Sequence, residues 1–200
     1  TLTKQFYNDK KTVVYIYYKR KYGNAFCKLF LVATVMKLQF SRPLRCYFFD
    51  TDFYTHLSTT HNVYDYVPQH TLPVDMKHVD KMFVPIVLHR GDTTETCCLA
   101  VINVQDQRFE YYDFLGRHNE QCEQNVCEYV HDTLHIDCHQ WQHYTHTDIP
   151  QHNKCDCGVF LLKYVDYLSE NKIINFTSKD IPVLRRRMTL DILQQQLPLY

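Results

Sequence analysis

Glycine is scarce in this chain, at four residues in 200. A loop that cradles phosphates with backbone N–H groups needs glycines at close spacing, so nucleotide-dependent chemistry of the usual kinds is excluded. Charge of one sign is not in excess either. Lys+Arg and Asp+Glu number 22 each, so no global field argues for nucleic-acid or membrane partners. Apolar runs are short. Leu29 to Met36, the most apolar of them, is bounded by Lys28 and Lys37 and reads as a strand or short core helix, far below the roughly 18 residues of a membrane span. Thr1 to Arg20 is polar and basic without a small-residue cleavage site, so no secretory signal is expected there.

Cysteine is plentiful, with nine residues, but the number is odd and the spacing irregular. Reduced thiols are therefore expected rather than a disulfide framework. A hydrophobic content of 45% over 200 residues suffices for one sizeable core, and with no repeat or low-complexity linker residues 1–200 read as a single domain. Thr12 to Tyr18 has strand propensity, Phe53 to Leu57 reads as a short helix, and Pro68 and Pro73 mark a loop. Lys81–Leu88 and Cys97–Val104 read as buried strands, followed by a turn at Gln105–Gln107 and a third strand over Arg108–Asp113. Glu120–Leu134 carries Val126, Val130 and Leu134 at helical spacing. A last helix is expected from about Pro182, carrying Val183, Leu190, Leu193 and Leu197. The fold class is α+β.

The segment Ile149-Pro150-Gln151-His152-Asn153-Lys154-Cys155-Asp156-Cys157-Gly158 runs into Val159 to Leu168, an apolar stretch too long for one strand and read as a buried helix. Cys157 then stands at the helix entrance. Unpaired N–H groups and the positive end of the helix dipole favour thiolate there, and thiolate is the nucleophile. Gln151 can fold back to offer an amide donor to an acyl-transfer oxyanion. A buried structural cysteine fits the same local pattern and is the commoner fate of this residue type. Asp113, at the end of a hydrophobic strand, is read locally as a turn residue before Leu115-Gly116; the alternative is a carboxylate with a partner.

The histidines between His131 and His152, with Cys155-x-Cys157 after them, raise the question of zinc. His143, His146 and His152 with two cysteines fit no compact zinc spacing, and no metal or organic cofactor is expected. Arg185-Arg186-Arg187 lies on the last helix and is read as a solvated or salt-bridged face rather than a nucleic-acid contact.

Together these pieces resemble the ubiquitin-like-protein proteases of the Ulp/SENP type, papain-like cysteine peptidases that process and remove SUMO. The resemblance rests on Val84-Pro85-Ile86, Cys98-Leu99-Ala100-Val101-Ile102, Tyr111-Tyr112-Asp113 and Ile149-Pro150-Gln151. It continues through Asp156-Cys157-Gly158-Val159-Phe160, Lys163-Tyr164-Val165-Asp166, Ile174-Asn175-Phe176-Thr177, Ile181-Pro182 and Arg185-Arg186-Arg187-Met188. It covers residues 82–197 and is thin upstream: Phe49 to Tyr54 resembles a Phe-x-Thr-x-Phe-Phe element, and within the weakly matched residues 1–48 Phe6-x-Asn8-Asp9 stands in the place of a Trp-Leu-Asn-Asp motif. Nothing between Lys19 and Cys46 matches.

The resemblance implies a papain-like fold with a mixed, mainly antiparallel sheet packed with helices. It implies thiolate attack on the carbonyl after the C-terminal Gly-Gly of a SUMO-like or other ubiquitin-like modifier, with Cys157 as nucleophile, Asp113 orienting the base and Gln151 as oxyanion donor. A monomer in the nucleus or cytoplasm, without nucleic acid or membrane, goes with it. The base does not carry over: the family's His-Trp pair before the Cys-Leu-Ala-Val strand is Thr96 and Cys97 here. Thr96 cannot take a proton from a thiol near neutral pH. Cys97 and Phe6 occupy the places of the two tryptophans that cover the substrate's Gly-Gly tail. His89, at the end of the preceding strand and ahead of a long loop over Arg90–Glu95, is the candidate substitute base, limited by strand register. His152 is expected to face away. The alternative function is a catalytically impaired relative that only binds a modifier.

Overall fold

Residues of alternating burial along three neighbouring strands organise the molecule, because a pleated strand sends successive side chains to opposite faces. The computed structural model describes residues 45–49, 51–59, 79–90, 94–114, 119–146, 149 and 156–193, of which 89–90, 94–95 and 189–193 are described for the backbone alone. The strand expected over Thr12–Tyr18, the apolar run Leu29–Met36 and the loop of Pro68 and Pro73 lie outside the described residues.

Five strands form one sheet in chain order: β1 (Cys46–Phe48), β2 (Lys81–Arg90), β3 (Thr94–Asn103), β4 (Arg108–Asp113) and β5 (Gln142–His146). The centre, β2–β3–β4, is antiparallel, and each edge carries a parallel strand, β1 beside β2 and β5 beside β4. The β2–β3 ladder runs without a break from Lys81↔Asn103 to Arg90↔Thr94. This corrects the long loop expected over Arg90–Glu95: the strands extend to Arg90 and from Thr94, leaving only 91–93 between them. β-Branched Thr94 and Thr96 suit a strand, and the ladder keeps pairing where the sequence pattern alone suggests an end.

Helices cover both faces. Toward one face lie α1 (Phe53–Thr59) and α2 (Glu120–Leu134), whose Phe53, Leu57, Val126 and Val130 share a core with Met82, Val84, Ile86, Cys98, Ala100 and Ile102. Toward the other lie α3 (Cys157–Ser169) and α4 (Ile181–Leu193), where Val159, Phe160, Leu162 and Met188 pack with Phe83, Cys97, Leu99, Val101 and Tyr112. Cys97 and Cys98 are thus neighbours in sequence but belong to different cores. α2 begins at Asn119, whose side chain accepts from the Cys122 N–H, and ends at His135 in the left-handed region (φ 56°).

The last turn of α3 is fixed by a buried cation. Lys81, 7% exposed, sends its Nζ to the Leu168 carbonyl at 3.2 Å and to the side-chain oxygen of Asn171. A cation at carbonyls left open by a helix C-terminus is favourable on both hydrogen-bond and dipole grounds.

Candidate active site

Cys157 is the first residue of α3, and the chain enters the helix through Asp156. The Asp156 carbonyl accepts from Val159 and Phe160 N–H groups, at 3.0 and 3.1 Å, so the first turn closes at once. The Asp156 side chain makes no cap bond to the helix. Its carboxylate is committed to Arg185 of α4, whose Nη2 stands 2.7 Å from Oδ1. The arginine run is therefore salt-bridged at its first member, and the bridge fixes the entrance of α3 against α4.

The Cys157 side chain is 7% exposed, and the Cys97 N–H donates to its Sγ at 3.4 Å. A strand N–H lies in the plane of its sheet. The last registered pair between β3 and β4 is Cys98↔Asp113, after which the chain turns at Phe114. The sulfur therefore sits at the end of the sheet, beside the Cys98–Asp113 pair. Several groups act on the thiol. The Cys97 side chain hydrogen-bonds it and favours thiolate, burial opposes, and the N–H groups of Cys97, Gly158 and Cys157 itself favour thiolate again. The net effect pulls its pKa down from 9.0 to about 7. Other buried thiols go the opposite way: burial and the neighbouring Cys98 push Cys122 up, and a hydrogen bond with Cys138 followed by burial pushes Cys127 up.

Asp113, 2% exposed, pairs with Cys98, and by alternation it shares a face with Cys98 and Thr96. Thr96 is 5% exposed and stands opposite Leu88 in the ladder. The structure thus brings Asp113 and Thr96 to one face at the sheet end, and the direct contact from β3 to Cys157 comes from Cys97. His89 stands opposite Glu95 in the β2–β3 register. Gln151, His152 and Phe6 lie outside the described residues.

The histidines of β5 have local partners. His143 places Nδ1 2.7 Å from Glu123 and Nε2 3.0 Å from the Cys138 carbonyl. His146 stacks on Tyr112 with ring centroids 4.2 Å apart, and its Nε2 stands 3.5 Å from Glu110. Among the described residues no group of three or more His, Cys, Asp or Glu is placed to hold a metal ion, and no helix is long and apolar enough to cross a membrane.

Residues 26–197 match the Ulp1 protease family, C-terminal catalytic domain. The chain belongs to this family. Among Ulp1-family relatives, ubiquitin-like-specific protease 1A of Arabidopsis thaliana is 33% identical over 164 residues, covering 76% of this chain and 32% of that protein. Sentrin-specific protease 2 of Homo sapiens is 31% identical over 158 residues, covering 74% and 26%. The chain spans about a third or less of the length of these curated relatives. The Ulp1 fold is shared as well. The C-terminal Ulp1 protease domain in complex with Smt3, the yeast ortholog of SUMO, superposes with a TM-score of 0.69 at 21% identity, over 86% of this chain and 76% of that one. The SUMO protease Ulp1 with its catalytic cysteine oxidized to a sulfinic acid gives 0.71 at 22%, over 86% and 77%. The α+β papain-like architecture of the Ulp1 family is thereby established for this chain.

Three features of the Cys157 helix and its surroundings were not read from the sequence. The Asp156–Arg185 bridge had a signal, an acid just before a helix and an arginine run on the next one. Lys81 had one too, as a charged residue opening a buried strand. The Cys97–Cys157 contact had none, since it joins residues 60 positions apart.

Proposed function

We propose that the chain is a thiol peptidase of the ubiquitin-like-modifier type, in which Cys157 attacks the carbonyl after a C-terminal Gly-Gly. The observation that supports it is the thiol itself: it stands at a helix N-terminus, accepts a main-chain N–H and is drawn toward thiolate near neutral pH. Asp113 and Gln151 take the orienting and oxyanion roles in this reading, with Thr96 and Cys97 beside the substrate's tail and Phe6 over it.

A thiolate already formed needs no base to attack. Expelling an amine is different, because the departing nitrogen must be protonated, and in this reading Thr96 holds the sequence position of the family's histidine, which would supply that proton. Attack and thioester formation on an activated carbonyl therefore separate from amide turnover. The buried threonine supports the second reading to the same extent, a relative that binds the modifier and turns over amides slowly. A SUMO-like modifier carrying a C-terminal electrophile tests the proposal. Covalent attachment at Cys157 is expected, and a Cys157→Ala protein should remain unmodified. No attachment to the folded wild-type chain would remove the peptidase reading and leave the binding one.

A further inference from the structure

We propose that Cys97 and Cys157 form a dithiol site for peroxide, with Cys157 as the oxidised thiol and Cys97 as the thiol that resolves it into a disulfide. The geometry comes first. Cys97 meets Cys157 twice, through its N–H at 3.4 Å from Sγ and through its own side chain. Both residues lie in one core cluster, at 5% and 7% exposure. A disulfide needs β-carbons about 4 Å apart, which is compatible with a sulfur already in contact with residue 97.

Selectivity follows from the surroundings. Cys98 is adjacent in sequence but faces the other core, against Tyr111 and Cys122, so strand alternation keeps it from the pair. Cys122 and Cys127 are held as thiols by their surroundings, whereas Cys157 is drawn toward thiolate, the form that peroxide attacks.

The chemistry balances. The Cys157 thiolate attacks one peroxide oxygen, the O–O bond breaks, and hydroxide leaves and takes up a proton as water. Cys157 is now a sulfenic acid, oxidised by two electrons. The Cys97 thiol attacks that sulfur, the S–O bond breaks, and the oxygen departs as water with the Cys97 proton. Two equivalents of a small thiol return the disulfide to the dithiol, themselves becoming a disulfide. Without Cys97, the sulfenic acid lacks the thiol that contacts it among the described residues and proceeds to sulfinic and sulfonic acids, which small thiols do not reverse.

The proposal uses the Cys157 thiolate of the peptidase reading but not its turnover, so the test reads mass and alkylation rather than cleavage. The whole chain is treated with a several-fold molar excess of hydrogen peroxide, enough for three successive two-electron oxidations of one thiol, then alkylated under denaturing conditions and mapped by peptide mass spectrometry. A Cys97–Cys157 cross-linked peptide, about 2 Da below the sum of its reduced halves, is expected and should vanish on dithiothreitol treatment. In Cys97→Ser, a change of one atom, Cys157 should instead carry two or three added oxygens and fail to recover iodoacetamide labelling after dithiothreitol. In Cys157→Ser no cross-link to Cys97 should form. Wild-type chain in which Cys157 carries two or three added oxygens, with no cross-linked peptide, would overturn the proposal, and that result requires no variant that must fold.

Discussion

Arg185 reaches back 29 residues to place its Nη2 2.7 Å from Oδ1 of Asp156, the residue immediately before Cys157. The contact crosses between two helices and ends at the entrance of the one that carries the thiol. The arginine is 40% exposed and the aspartate 18%, so solvent weakens the attraction and its value to stability is small, about 1 kcal/mol or less. Its effect on position is larger than its effect on energy, because one end of the bridge is a single bond removed from the nucleophile's residue.

Arg185→Ala is accordingly expected to lower the melting temperature by only a few degrees while slowing alkylation of Cys157 by a few-fold. Thermal melts by circular dichroism and second-order iodoacetamide rates check this. An unchanged alkylation rate would show that the bridge does not position the thiol.

Alkylation should follow pH with a midpoint near 7. The folded pKa is depressed from 9.0 to about 7, so Cys157 is thiol below that pH and thiolate above it. The rate should rise through pH 6 to 8 and then level off, where an ordinary cysteine is still climbing. Cys97→Ala removes the strongest favourable contact, that of the Cys97 thiol, and keeps the N–H, so its midpoint should move upward without reaching that of a free thiol. A wild-type midpoint near 9, measured by pH-dependent labelling, would contradict the arrangement at the sheet end.

Cleavage of a SUMO-like precursor by the wild-type chain should be very slow, whereas the electrophilic modifier should label it. Thr96→His is expected to raise precursor cleavage by about tenfold or more, below the roughly 10²–10⁴ that general acid–base catalysis provides, because Cys97 leaves the Gly-Gly tail without aromatic cover. Thr96→His with Cys97→Trp should exceed either single change. Gel-based cleavage rates decide the matter. Robust wild-type turnover that disappears in His89→Ala would instead show a base relocated to β2.

Lys81→Met should destabilise the fold by about 1–3 kcal/mol, the usual worth of hydrogen bonds made by a charged group. The Leu168 carbonyl at the far end of α3 loses the ammonium but keeps the Asn171 N–H at 3.3 Å, and the Asn171 side chain loses its cation. Chemical denaturation measures it, and a change under a few tenths of a kcal/mol would mean that the main-chain bonds alone hold this end of the helix.

Where local pattern and global structure agreed, the sequence was readable. Arg108–Asp113 and Glu120–Leu134 occur as elements over the residues expected, because each carries its own period of apolar side chains. The edge strands were not readable. Cys46–Phe48 is three residues long, and Gln142–His146 is polar enough that its histidines invited a metal reading. Both owe their form to a parallel partner far along the chain, which no local window contains. The same limit applies to the site. The resemblance singled out Cys157 and Asp113, but it made Cys97 only a cover for substrate. That Cys97 touches the thiol is a matter of register, set by the unbroken ladder between β2 and β3.

One donor to the thiol belongs to the backbone of residue 97 rather than to its side chain. Any amino acid other than proline can supply it. The residue at this position is thus free to differ, tryptophan in the family pattern and cysteine here, while a share of the nucleophile's acidity passes unchanged through the exchange. What that share depends on is the strand alignment, and a shift of one residue in it would turn this N–H away from the sulfur.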